Sequence, residues 1–156
     1  MAGWQVDFTV VPRRALAAHG AAHSSNLDDT AWWGTHALPP DYQRRLGAIT
    51  SPGASSTAEL QTWGVEDGNR IDVWSEAGRV RAVIARVDVR RLDSKFGAAL
   101  LQFVRTADAV LVRSDGLIVE PQIGAYAAAL RSSVAWQFAS DPTSFLATYS
   151  DDDNDG

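Results

Sequence analysis

Arg70-Ile71-Asp72-Val73-Trp74-Ser75-Glu76-Ala77-Gly78-Arg79-Val80-Arg81-Ala82-Val83-Ile84-Ala85-Arg86-Val87-Asp88-Val89-Arg90 decides the fold class of this chain. Residues 70–75 and 79–90 alternate apolar with polar side chains, the period of a half-buried strand. Ala77-Gly78 between them is a two-residue turn, weaker than Asn-Gly for a tight hairpin. Folded about that turn, Ile71 is expected opposite Ile84, Val73 opposite Ala82, Trp74 opposite Arg81 and Glu76 opposite Arg79. Apolar then meets apolar, acid meets base, and a cation meets a ring. Along the second arm the apolar positions change phase, from Val80, Ala82 and Ile84 to Ala85, Val87 and Val89. One inserted residue near 83–85 restores the alternation. A strand buried on both faces around 82–85, with no bulge, is the rival reading.

Working outward, Trp4, Val6, Phe8 and Val10 alternate with Gln5, Asp7 and Thr9, which predicts a strand ended by Pro12. Trp4 is expected in the core. A short helix over 13–18 follows, then a long irregular connection over 19–41. It contains His19, His23, His36, Asp28 and the pair Trp32-Trp33, which is read as a plug on the core. Pro40 suits the first turn of a helix carrying Tyr42, Leu46 and Ile49. Residues 60–63 read as a strand and 64–69 as a turn. Asp93 caps a helix over about 94–107 whose stripe is Phe96, Leu100, Phe103, Val104 and Ala107. Strands at 109–113 and 117–120 come next. Pro121 then opens a helix with the stripe Ile123, Ala127, Leu130, Val134 and Phe138, and Asp141-Pro142 begins a last short one. Strands cluster rather than alternating with helices. The expected class is therefore α+β: a mixed, mainly antiparallel sheet with three to four helices packed mostly on one face.

The 156 residues suit one domain, 1–150, and contain no cysteine. Disulfides, Cys-ligated zinc and thiol nucleophiles are excluded. Net charge is −5, but Asp151, Asp152, Asp153 and Asp155 crowd the end of the chain. Without these four, 15 acidic residues face 14 basic ones, a net of −1. The expectation is a near-neutral body with a disordered acidic tail over 151–156. This balance disfavours non-specific nucleic-acid binding. No stretch approaches the ~20 apolar residues of a membrane span. Residues 1–11 lack the basic-then-apolar pattern of a leader, so a cytoplasmic location is expected. Basic residues are 13 Arg and a single Lys, Lys95, which makes Schiff-base and P-loop chemistry poor candidates.

The hairpin's polar side is the leading candidate site. Arg70, Asp72, Trp74, Arg79, Arg81, Arg86, Asp88 and Arg90 line one face if the bulge holds. Trp and Arg are the residues most enriched at binding hot spots. Trp74, Arg81, Arg79, Arg86, Asp72 and Asp88 are accordingly read as partner-binding residues, with no cofactor. The competing reading is a solvated face on which pairs such as Arg86–Asp88 neutralise one another. A small hydrolase or metal-dependent enzyme is the alternative function, using His19, His23, His36 and Asp28. His19 and His23 are four apart, as two imidazoles on one helix face would be. Gly20 disfavours that helix, and no Glu follows His19. No serine lies in a Gly-x-Ser-x-Gly frame.

The run Trp63-Gly64-Val65-Glu66-Asp67-Gly68-Asn69-Arg70-Ile71-Asp72-Val73 resembles a group of small uncharacterised bacterial proteins. So does the closing pattern Leu130-Arg131-Ser132-Ser133, Phe138, Asp141-Pro142 and Phe145-Leu146. By type rather than motif the chain also resembles immunity proteins, which neutralise a partner toxin by binding it. What that resemblance implies is a cytoplasmic protein-binding domain that works by occlusion. A homo-oligomeric module using the same face is a third reading.

Overall fold

The structure is a computed structural model that describes residues 3–19, 27, 30–53 and 57–140. Its elements, in chain order, are β1 (Gln5–Pro12), α1 (Arg13–His19), α2 (Tyr42–Ile49), β2 (Leu60–Gly64), β3 (Arg70–Glu76), β4 (Arg79–Asp88), α3 (Ser94–Thr106), β5 (Ala109–Arg113), β6 (Ile118–Val119), α4 (Ile123–Arg131) and α5 (Val134–Ser140). The six strands form one sheet in the order β2-β3-β4-β1-β5-β6. Every pairing is antiparallel. The fold is α+β, with five helices among the described residues where three to four were expected. None of those helices is long and apolar enough to cross a membrane.

One row of cross-strand neighbours, Trp63–Ile71–Ala85–Phe8–Arg113, marks the core face. Its first four members are buried. Helices α2, α3 and α4 lie side by side over this face, with α3 touching β5 and α4 touching β6. The Phe8 and Tyr126 rings meet with centroids 6.0 Å apart. Gly97 of α3 lies so close to Tyr126 that an added Cβ would come within 3.1 Å of its ring. Helix α3 forms where the stripe predicted. Asp93 accepts hydrogen bonds from the Lys95 and Phe96 N–H groups, a side-chain N-cap.

Several local expectations change. The hairpin turn closes as read, with Ala77 and Gly78 both at positive φ (53° and 78°) and Glu76 opposite Arg79. Beyond the next pair, Ser75 and Val80, the register differs. Ile71 faces Ala85, Val73 faces Val83 and Trp74 faces Ala82. The irregularity falls between Trp74 and Ser75, so Arg81 is the extra residue of a bulge placed nearer the turn than 83–85. The rival reading, burial on both faces without a bulge, holds only in part: Val83 and Ala85 are fully buried on one face and Ala82 and Ile84 half-buried on the other, but the strand does carry a bulge. The helix expected to open at Pro121, with a stripe running from Ile123 to Phe138, is two. Ser132 and Ser133 interrupt it, and the Ser133 hydroxyl accepts from the Trp136 N–H to start α5. The expected stripe fails at the first residue of each helix, since Ile123 and Val134 are 65% and 59% exposed. Pro40 precedes Asp41 and α2 rather than entering the helix. Trp4 is half-buried; its indole N–H donates to the Asp67 carbonyl, and the Arg90 guanidinium stacks 3.9 Å from its ring centroid. The last expected helix and the acidic tail lie outside the described residues.

Candidate functional site

The second face of the sheet carries the polar side chains of β1, β3 and β4. Register places Arg70, Arg86 and Asp7 in one row, and Thr62, Asp72, Ile84 and Thr9 in the next. Alternation along β3 puts Arg70, Asp72 and Trp74 on this face together. Asp72 is 1% exposed and accepts from Arg70 Nε at 2.6 Å. Arg86 lies between two carboxylates, with Nε 3.7 Å from Asp7 Oδ1 and Nη2 3.8 Å from Asp72 Oδ2. Two acids and two guanidinia thus form a neutral cluster within the sheet face. Arg86 does not pair with Asp88 as expected. Asp88 instead binds Arg90, through Nη2 at 2.9 Å and through the Arg90 backbone N–H, also at 2.9 Å.

The bulge sets the geometry beside this cluster. Ladder pairing between β1 and β4 runs to Thr9 and Ile84. Beyond it Trp33 enters, its backbone N–H donating to the Arg81 carbonyl at 3.3 Å and its indole N–H to the Val10 carbonyl at 2.8 Å. Trp32 and Trp33 are both buried, with the Trp32 indole N–H donating to the Leu27 carbonyl. The pair fills space at the parted end of two strands. The Arg81 side chain is aimed toward Glu76, 3.5 Å away.

A groove of about 600 Å³ opens there, with Trp74, Ala82 and Ile84 as its apolar surface and Glu59, Glu76, Arg81 and Arg86 as its charges. Trp74 is 42% exposed. The other side of the hairpin end faces a second concavity of about 420 Å³, lined by Trp33, Leu38, Tyr42, Arg79 and Val80.

The six expected partner-binding residues are therefore split. Trp74, Arg81 and Arg86 share the groove. Arg79 belongs to the opposite concavity. Asp72 is buried in the charge cluster and is not a contact surface. Asp88, 4% exposed, faces a third concavity with Arg90, Asp67 and Asn69. Burial alone would raise the Asp88 carboxyl, but hydrogen bonds from Arg90 and the charges of Arg90 and Arg91 outweigh it, holding the group below the usual carboxylate range. With the Asp88 N–H donating to Asn69 Oδ1 and Gln5 Nε2 donating to the Glu66 and Gly68 carbonyls, this region pins the 65–69 loop.

For the enzymatic alternative, His23, Asp28 and the side chain of His19 lie outside the described residues. His36 is half-buried, with Nδ1 3.1 Å from the Thr35 hydroxyl. Among the described residues no three His, Asp or Glu side chains gather as a metal site.

Sequence reading missed Leu27, Thr9 and Glu59 as groove residues, and Asp7 as the partner of Arg86. The polar side of β1 carried the signal, but using it needed the knowledge that β1 lies against β4. No family model matches the chain, nor does any curated protein or solved structure.

Proposed function

We propose that this chain is a non-catalytic protein-binding domain that docks its partner on the groove beside the β3–β4 hairpin. The observation that carries this reading is Trp74, a large aromatic left 42% exposed on the sheet face, in a concave surface that Arg81 also lines. An aromatic anchor beside Arg within a pocket is the usual composition of a binding hot spot. Arg86 adds a second cation, held in place from below by Asp7 and Asp72. Asp72 thus positions the surface rather than touching the partner. Mixed charge around the anchor sets approach and register more than affinity. Neutralisation of a toxin by occlusion is the finer form of this proposal, supported by likeness of type to immunity proteins. Among the described residues the enzymatic reading has no comparable observation behind it.

Pull-down from a lysate of the source organism tests the proposal with two baits. Wild-type chain should recover a stoichiometric partner. Trp74→Ala/Arg81→Ala, with an unchanged circular dichroism spectrum and melting temperature, should lose it. Equal recovery by both baits, or no partner on either, overturns the docking surface.

A further inference from the structure

We infer that the groove receives an arginine side chain of the partner, its guanidinium flat against the Trp74 ring and its charge offset by Glu59 and Glu76. The inference rests on the docking reading above and names what the partner brings to that surface.

The chain builds such a stack once within itself. The Arg90 guanidinium lies 3.9 Å from the centroid of the Trp4 ring while its Nη2 binds Asp88 at 2.9 Å. Ring, guanidinium and carboxylate form one unit there. In the groove the ring and the carboxylates are present without the guanidinium. Trp74 is exposed, and among the described residues no cation stacks on it. Glu76 lies two residues after Trp74 on β3, on the same face by alternation. Glu59 is held near by its backbone: its carbonyl accepts from the Ser75 N–H at 2.7 Å, next to the Leu60–Trp74 pair. Both acids line the groove, and the Glu59 carboxylate has no hydrogen bond or ion pair among the described residues.

The arginines already in the groove are committed elsewhere. Arg86 is bracketed by Asp7 and Asp72, and Asp72 also binds Arg70. Arg81 meets Glu76 at 3.5 Å and has a further partner as well. Among the described residues, groove and cluster together hold three guanidinia and four carboxylates, and Glu59 is the one left over. An incoming cation therefore meets net attraction, and an incoming carboxylate does not. A guanidinium suits the place better than an ammonium, because its flat face stacks on an indole while its edge donates to carboxylates. Ala82 and Ile84, which line the same groove, give its methylene stem an apolar surface to lie on.

A capped Gly-Arg-Gly peptide, titrated into the isotope-labelled full chain at about 0.15 M salt, tests this by nuclear magnetic resonance. The indole N–H signal of Trp74 is the reporter. That of Trp4, whose ring already carries Arg90, is the internal control. The Trp74 signal should shift saturably and the Trp4 signal should stay in place. The same peptide with citrulline, which keeps the shape without the charge, should bind at least about tenfold more weakly. Glu59→Lys, a change at an exposed residue, should weaken the arginine peptide about tenfold. In Trp74→Ala the amide of Ala82, directly opposite, should no longer respond. Melting temperatures of both variants, compared with wild type, separate lost binding from lost fold. A Trp74 signal that ignores the peptide, moves equally with citrulline, or is indifferent to Glu59→Lys overturns the inference. A Trp74 that ignores the peptide yet still captures a partner in the pull-down removes the arginine alone and leaves the docking surface standing. Equal recovery by both baits removes the docking surface and the inference with it.

Discussion

The indole N–H of Trp33 donates to the backbone carbonyl of Val10 at 2.8 Å, at the point where β1 and β4 part. The same residue's backbone N–H bonds the Arg81 carbonyl. One side chain thus satisfies a buried strand carbonyl, and one peptide group holds the bulge that aims Arg81. Trp33→Phe keeps the ring but removes the indole donor. It should destabilise the fold by about 1–3 kcal/mol, the cost of a buried carbonyl left without its partner. Chemical denaturation with an unchanged slope is the measurement, and wild-type stability would refute this account of Trp33.

Asp72 is the pivot of the sheet-face charge cluster. Asp72→Ala leaves Arg70 and Arg86 near one another without the carboxylate that both approach. Removing one partner of a buried pair typically destabilises by about 3–5 kcal/mol. Asp72→Asn should lose less, because its amide oxygen still accepts from Arg70 Nε. If the two substitutions lower the melting temperature equally, the hydrogen bond contributes little and charge alone is at work.

Stability should fall at both ends of the pH scale. The Asp88 carboxyl is held low despite its burial by Arg90, Asp115 by Arg113, and Glu120 by Arg13. A carboxylate whose folded pKa lies below its unfolded value contributes fully above about pH 4–5, and that contribution is lost as pH drops through the folded value. Tyr126 works in the opposite range. Burial, and then the nearby charge of Asp93, push its phenol upward. Its contribution is complete below about pH 10 and is lost above it, where the unfolded phenol ionises first. Thermal melts across pH should show a plateau between these limits. A melting temperature that rises on acidification through the carboxylate range would contradict the ion-pair assignments.

Gly64 ends β2 at φ 100°, and a Cβ there would collide with the Asn69 carbonyl. Both the backbone conformation and the space exclude a side chain. Gly64→Ala should destabilise by about 1–3 kcal/mol and loosen the 65–69 loop. Gly78→Ala is the informative contrast. Its φ is also positive, but nothing lies within 4 Å of the added methyl. Hydrogen exchange of the Val65 and Asp88 amides, which donate to the Asn69 carbonyl and Oδ1, should accelerate in the first variant only.

The parts of the fold legible in the sequence are those governed by near neighbours. The hairpin, its turn and the Glu76–Arg79 pair follow from alternation and turn chemistry within twenty residues. Helix α3 follows from one cap and one stripe. The bulge at Arg81 does not, because Ala82 and Ile84 are apolar for a reason outside the hairpin: they border the groove. The break at Ser132 and Ser133 was hidden by apolar residues at helical spacing, two of which, Ile123 and Val134, turn out to face solvent. For the candidate site, residue types pointed to Trp74, Arg81 and Arg86. Which acids accompany them depended on the order of strands, since Asp7 reaches Arg86 only because β1 lies beside β4.

The strand nearest the start of the chain, β1, occupies the middle of the sheet, between β4 and β5. Its partners on one side are Ile84 to Asp88, and on the other Ala109 to Arg113. During synthesis β1 must therefore wait for roughly a hundred residues of chain before both of its edges are covered. Contacts of such high sequence separation slow folding and prolong the exposure of strand edges. The β3–β4 hairpin, by contrast, can close as soon as it emerges, and the wall of the groove it carries is then built before the centre of the sheet.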